Sequence, residues 1–222
     1  MAGRESIAAR TERAKRILRK LRKAYGDADC ALTHKNAFEL LIATILSAQS
    51  TDETVNKVTP ALFEAYPDAD SLAVADQEDV QEIVHPTGFF RQKAKNIIGA
   101  ARRIVDEFEG EVPESIESLV SLPGVARKTA NVVLGTWFGK NEGVVVDTHV
   151  GRLADRLRLT WNHKDSKDAI RIEKDLMRVI PQKDWTYISH ALIWHGRKVC
   201  SARKPTCEEC ELVDDCPSAG KL

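Results

Sequence analysis

Lys128 and Asp147 are the residues whose types and spacing suggest chemistry. The lysine lies in the run Ser121-Leu122-Pro123-Gly124-Val125-Ala126-Arg127-Lys128-Thr129-Ala130, and the aspartate follows nineteen residues after it. A deprotonated lysine amine attacks carbon electrophiles and forms Schiff bases. A carboxylate beside the reacting carbon stabilises positive charge on a departing group or moves protons. Each residue also has a plainer reading. Most lysines are solvated or meet a phosphate, and an aspartate that follows Val144-Val145-Val146 and precedes a helical pattern is a natural N-cap. Lys128 falls in the first turn of its helix, where the macrodipole disfavours a cation, so a purely stabilising choice would be an acid.

The second concentration of reactive groups is at the other end of the chain. Cys200, Cys207, Cys210 and Cys216 fall within the last tenth of the sequence, with six, two and five residues between them. No basic-then-apolar leader and no apolar run near the roughly 20 residues of a membrane span is present, so the chain reads as soluble and intracellular. Disulfides are then disfavoured. Zinc usually takes two separated close pairs, whereas one close pair flanked by singles also suits a four-iron cluster, and spacing alone leaves both open. Cys30 stands outside this pattern and reads as a small buried hydrophobe.

The elements that position these groups are helices, because apolar residues recur at helical spacing almost throughout. The pattern predicts helices over Arg4 to Tyr25, Ala37 to Ala48, Asp52 to Tyr66 with Pro60 bending or interrupting it, Asp76 to Val84 and Arg91 to Phe108. A brief helix after Ser115 runs into Pro123 and Gly124, and another starts at Ala126. Helices over His149 to Leu159, Ser166 to Ile180 and Asp184 to Lys198 follow. The fold class is all-α. Helix, Leu-Pro-Gly-Val-Ala, helix is a tight corner whose second helix begins with free N–H groups, a ready site for a phosphate that ignores base identity.

Among 222 residues, 33 Lys and Arg balance 33 Asp and Glu, and zero net charge taken alone argues against a nucleic-acid partner. The charge is segregated, however. Residues 1–24 hold nine bases against two acids, and residues 68–82 hold six acids and no base. Such a basic run is either a solvated helix face or a surface that meets phosphate.

LPGVARKTANVV followed by VVVDTH resembles the hairpin and aspartate signature of the helix-hairpin-helix DNA base-excision glycosylases, in their endonuclease III branch. LLIATILSAQSTDETVNKVTP, GEVPE and HGRKVCSARKPTCEECELVDDC resemble the same branch, so the likeness spans residues 15–216. The resemblance implies a two-lobed fold. Residues 30–141 would form a helical barrel with the hairpin at 115–138, residues 1–29 and 142–222 an iron-sulfur domain, and DNA would lie in the groove between.

It further implies a [4Fe-4S] cluster on the four cysteines. Lys128 would attack the anomeric carbon of a flipped, oxidised pyrimidine nucleotide with help from Asp147, and β-elimination would then cut the strand 3′ to the abasic site. Gln49 would fill the vacated space and Phe89 would wedge into the opposite strand, where the family often has an aliphatic residue. Leu122, Gly124, Ala126 and Arg127 would contact DNA at the hairpin, and Arg203 and Lys204 from the cysteine loop. His149 would approach the flipped nucleotide or cap its helix.

The resemblance also implies double-stranded DNA with damaged bases or abasic sites as the partner, met by a monomer in the cytoplasm at the nucleoid, with no membrane. Ala126 departs from the family, which usually has a second hairpin glycine there, and implies weaker DNA contact. Two other functions remain open at this point. An adenine-removing or mismatch glycosylase would release a base without cutting the strand, and a non-catalytic DNA-binding module would not need Lys128 with Asp147.

Overall fold

The computed structural model describes residues 5–26, 28–162 and 164–221. Among them the α-helices are α1 (Ile7–Tyr25), α2 (Ala37–Leu46), α3 (Asp52–Ala65), α4 (Ala69–Ala73), α5 (Gln77–Val84), α6 (Phe90–Phe108), α7 (Ile116–Ser121), α8 (Arg127–Thr136), α9 (Thr148–Arg156), α10 (Ala169–Val179) and α11 (Trp185–Lys198). No strand occurs among these residues, and no helix there is long and apolar enough to cross a membrane. Val144-Val145-Val146 is a buried connection whose Val145 N–H donates to Ser189 Oγ at 2.9 Å. Contacts divide the chain into two units, residues 30–140, and residues 1–29 with 141–222.

In the unit of residues 30–140, α2 is the central element. It is apolar on every side, the pattern of a helix enclosed by others. Leu40, Leu41, Ile42 and Leu46 are wholly buried, each stabilising the fold by about 1.5–3 kcal/mol. Around it pack α3, α6 and α8. Asn36 caps α2 by accepting from Glu39 N–H, and the Glu39 carboxylate accepts in turn from Lys35 N–H. The long α6 carries α4 and α5 on one side. Its buried stripe of Ala94, Ile97, Ala101 and Ile104 follows the helical repeat.

Two expectations are corrected here. Pro60 does not interrupt α3, which runs unbroken from Asp52 to Ala65 with the proline on its exposed side. The short α4 has no apolar period to reveal it; it exists because Asp68 and Ser71 form a reciprocal capping box. Cys30, expected buried, is half-exposed.

In the second unit, α1 packs on α10 and α11, and α9 packs on both of those. Ala14, Ile17, Leu18 and Leu21 of α1 meet Val150, Leu153, Ile172, Leu176, Ile188 and Leu192 in one core. The expected start of α1 at Arg4 lies outside the described residues, and the helix begins at Ile7 behind the Ser6 cap.

The cations of α1 are largely committed within this unit. Arg13 is buried and donates to the carbonyls of Leu157, Arg158 and Asp215 and to the Glu5 carboxylate. Asp215, also buried, pairs with Arg16 at 2.8 Å and Lys20 at 3.0 Å. Burial alone would push the Asp215 carboxyl up, but these two cations hold it below the usual carboxylate range. The basic run is therefore neither a free solvated face nor a free phosphate surface over this stretch. It clamps the segment that carries Cys216.

Replacing Asp215 by alanine removes the acceptor shared by Arg16 and Lys20, and we expect a loss of about 2 kcal/mol in urea unfolding. Lys15 and Glu12 pair in the open, so Lys15→Ala should change stability by less than about 0.5 kcal/mol. Equal effects of the two substitutions would refute the clamp.

Candidate active site and cysteine centre

The corner between α7 and α8 is built against α6. Ser115 caps α7, and the chain turns through Leu122, Pro123, Gly124 and Val125 into α8. Gly124 has φ +78°, and a Cβ there would lie 2.9 Å from the Cβ and Nδ2 of Asn96, so the residue needs both the left-handed backbone and the absent side chain. Pro123 lies against Gly99, and the Arg103 guanidinium donates to the Ser121 carbonyl. Asn96, Gly99 and Arg103 recur at three- and four-residue steps, so one edge of α6 supports the whole corner.

Ala126 is the N-cap of α8 and has no side-chain oxygen to close it. Its φ of −92° is extended backbone, so the methyl group causes no strain. Ala126, Arg127 and Lys128 are all exposed, at the positive end of the α8 dipole. Leu122, expected to contact DNA, is buried in the corner. Its side chain is 2% exposed, its N–H donates to Leu119 and its carbonyl accepts from Val125, so it belongs to the core of the corner.

Gln49 and Phe89 lie in the same unit, and both have left-handed backbones, with φ of +54° and +49°. For a residue with a side chain this conformation is strained by roughly 1–3 kcal/mol and persists only where the surroundings impose it. The turn that holds Gln49 is pinned by Ser50 N–H on the Ser47 carbonyl and by the Thr51 cap of α3. Phe89 follows Gly88, starts α6 and is 67% exposed, contrary to what its hydrophobicity alone suggests.

The other expected groups are in the second unit. Asp147 caps α9, its Oδ1 accepting from Val150 N–H at 2.8 Å. His149 is half-buried beside Gly196 of α11, and Arg152 donates to its Nδ1 at 3.1 Å. Burial holds the imidazole below its usual range; Asp147 opposes this, while Arg152 and Arg197 add to it.

Cys200, Cys207, Cys210 and Cys216 line a single cavity with Leu153, Arg156, Val199 and Leu212. All four are free thiols, half-buried. Burial pushes Cys210 and Cys216 up, and the neighbouring sulfurs add to it. A thiolate-binding group must release those protons. Arg156 donates to Cys200 Sγ at 3.2 Å, and Arg152 and Arg156 hold the carbonyls of Cys200 and Ser201. His195, 2% exposed, places Nε2 at 3.4 Å from Cys210 Sγ and Nδ1 at 2.8 Å from Tyr25 Oη.

Among the described residues no group of three or more His, Cys, Asp or Glu side chains is placed to hold one metal ion. Four soft donors around one apolar-walled cavity, with a guanidinium on one sulfur, fit a thiolate-bound iron-sulfur cluster, whose charge such N–H···S bonds offset. Arg203 and Lys204 project into solvent from a turn closed by Ser201, whose Oγ accepts from Lys204 N–H and donates to its carbonyl.

Sequence reasoning missed several supporting residues: Asn96 and Arg103 behind the corner, and Arg152, Arg156 and His195 around the cysteines. The arginines had a legible signal, since two cations four apart on the helix that Asp147 caps must share a face.

Comparison with known proteins places these features in context. Residues 42–182 match the model of the HhH-GPD superfamily base excision DNA repair proteins. The chain is 58% identical over 213 residues to endonuclease III of Synechocystis sp., covering 96% of this chain and 95% of that one. A solved non-covalent endonuclease III–DNA complex superimposes with a TM-score of 0.87 at 39% identity, over 95% of this chain and 97% of that one. A trapped endonuclease III–DNA covalent intermediate, the estranged-adenine complex, gives the same TM-score, identity and coverage.

Proposed function

The chain belongs to the HhH-GPD superfamily of base excision DNA repair proteins, in its endonuclease III family, and from that membership we propose that Lys128 is the nucleophile and Asp147 its acid-base partner. The activity is that of a bifunctional DNA glycosylase and abasic-site lyase, acting on oxidised pyrimidines in base excision repair. The observation that carries the assignment of Lys128 is its place, exposed in the first turn of an α8 whose N-cap has no side chain to offer. That end of the helix is left for a phosphate, and the amine is one residue inside it.

In the reaction, the neutral Lys128 amine attacks C1′ of a flipped nucleotide and the base leaves. The sugar then opens at its C1′–O4′ bond to give an iminium that acidifies the C2′ proton, and β-elimination breaks the C3′–O bond so that the 3′ phosphate leaves. Asp147 stabilises the positive charge on the sugar and carries protons. As N-cap it uses one oxygen on Val150 N–H, which fixes the direction of the other. Gln49 occupies the space of the extruded base, and Phe89 enters the opposite strand. Gly124, Ala126 and Arg127 hold the phosphate backbone, while His149 lies beside Asp147 on the nucleotide side.

The cysteines would hold a [4Fe-4S] cluster, which when bound supplies folding free energy and rigidity to residues 200–216. Arg156 and His195 orient the sulfurs, and the stiffened loop presents Arg203 and Lys204 to the backbone. Double-stranded DNA with damaged bases or abasic sites is the partner, met by a monomer at the nucleoid.

Borohydride trapping on an abasic duplex tests the chemistry. Wild type should give a covalent adduct and Lys128→Ala none; an adduct with Lys128→Ala would end the assignment. Asp147→Asn keeps a competent cap, so a fall in rate of about tenfold or more would report lost acid-base chemistry rather than lost folding. Purified protein should contain iron and acid-labile sulfide in equal amounts; zinc alone would exclude the cluster. Replacing Arg203 and Lys204 together by glutamine should make the salt dependence of DNA binding shallower by about 1–2 units of slope, and an unchanged slope would remove both from the interface.

A further inference from the structure

Lys93 has no part in the chemistry, yet it is 4% exposed in the buried face of α6. Lysine is rarely buried without a partner, because removing an ammonium from water is costly. No carboxylate pairs with it among the described residues, and burial pushes its amine down from the usual lysine range. Its one hydrogen bond runs from Nζ to the Thr87 carbonyl at 2.7 Å. Thr87 is itself buried, and its hydroxyl donates to the Val84 carbonyl at 2.8 Å.

The turn that follows Thr87 runs through two residues at positive φ. Gly88 has φ +70° and Phe89 φ +49°, two successive left-handed residues, the second carrying an aromatic ring. The Phe89 carbonyl accepts from Lys93 N–H at 3.0 Å, so Lys93 grips both sides of the turn, by its side chain at Thr87 and by its backbone at Phe89. A methionine or leucine would fill the same space without the desolvation of an ammonium. What only the ammonium adds is a donor for a buried carbonyl at the base of the turn.

We propose that Lys93 is a positioning residue for opposite-strand insertion: its buried ammonium holds the 87–89 turn in the conformation that aims Phe89 outward. This rests on the reading of Phe89 as the wedge. The residue need not touch DNA. It acts by holding the backbone that carries the ring, so that no binding energy is used to reorganise the turn.

The test measures single-turnover base release from two duplexes, thymine glycol opposite adenine and thymine glycol opposite a stable abasic analogue. The second has no opposing base to displace. The ratio of the two rates is taken within each protein, so a reduced folded fraction cancels. Phe89→Ala should lower the ratio, Lys93→Met should lower it by about tenfold, and the double variant should match Phe89→Ala alone. A ratio unchanged in Lys93→Met, or a double variant lower than Phe89→Ala by the full Lys93→Met factor, overturns the proposal while leaving the wedge reading intact. A ratio unchanged in Phe89→Ala overturns the wedge reading and this proposal with it.

Discussion

The corner between α7 and α8 closes only because residue 124 has no side chain. Asn96 occupies the space a Cβ would need, and the backbone there is left-handed. The start of α8, and with it the place of Lys128, follows from that contact. The same helix that supplies Asn96 also supplies Gly99 and Arg103 to the corner. Its buried face supplies Lys93 to the turn before Phe89. One amphipathic helix therefore supports the groups that would hold the damaged strand and the group that would enter the other strand.

What was legible in the sequence were features decided by local chemistry. Helices showed through their apolar period, and some N-termini through caps such as Ser115 and Asp147. The Pro-Gly corner and the lysine beyond it were visible for the same reason. Pro60 misled because a proline's effect depends on whether it sits on the exposed side of its helix, which the sequence does not state. Phe89 could be read as core or wedge. Only the backbone angle and the packing beneath it show that the ring is held out.

The basic residues of α1 show a different limit. Their partners Asp214 and Asp215 lie nearly two hundred residues away, at the opposite end of the chain. A local charge count sees nine cations against two acids, and it suggests phosphate. The fold instead uses three of them, Arg13, Arg16 and Lys20, to anchor the segment around Cys216. The cysteine spacing was legible as a group of thiols, which the fold gathers around one cavity. The groups that orient its sulfurs, Arg156 from α9 and His195 from α11, come from elsewhere in the chain and were not.

The unit that contains the cysteines is made from both ends of the chain, with residues 30–140 inserted between them. On a ribosome α1 emerges first, but the core that covers Ala14, Ile17, Leu18 and Leu21 is made last. At about 5–20 residues per second, that apolar stripe waits on the order of 10–35 seconds for partners as late as Leu192, while the inserted unit already has all of its own sequence. The dense positive charge on the rest of α1 then has a second consequence, since like charges keep nascent chains apart during the interval in which their sticky face has no partner.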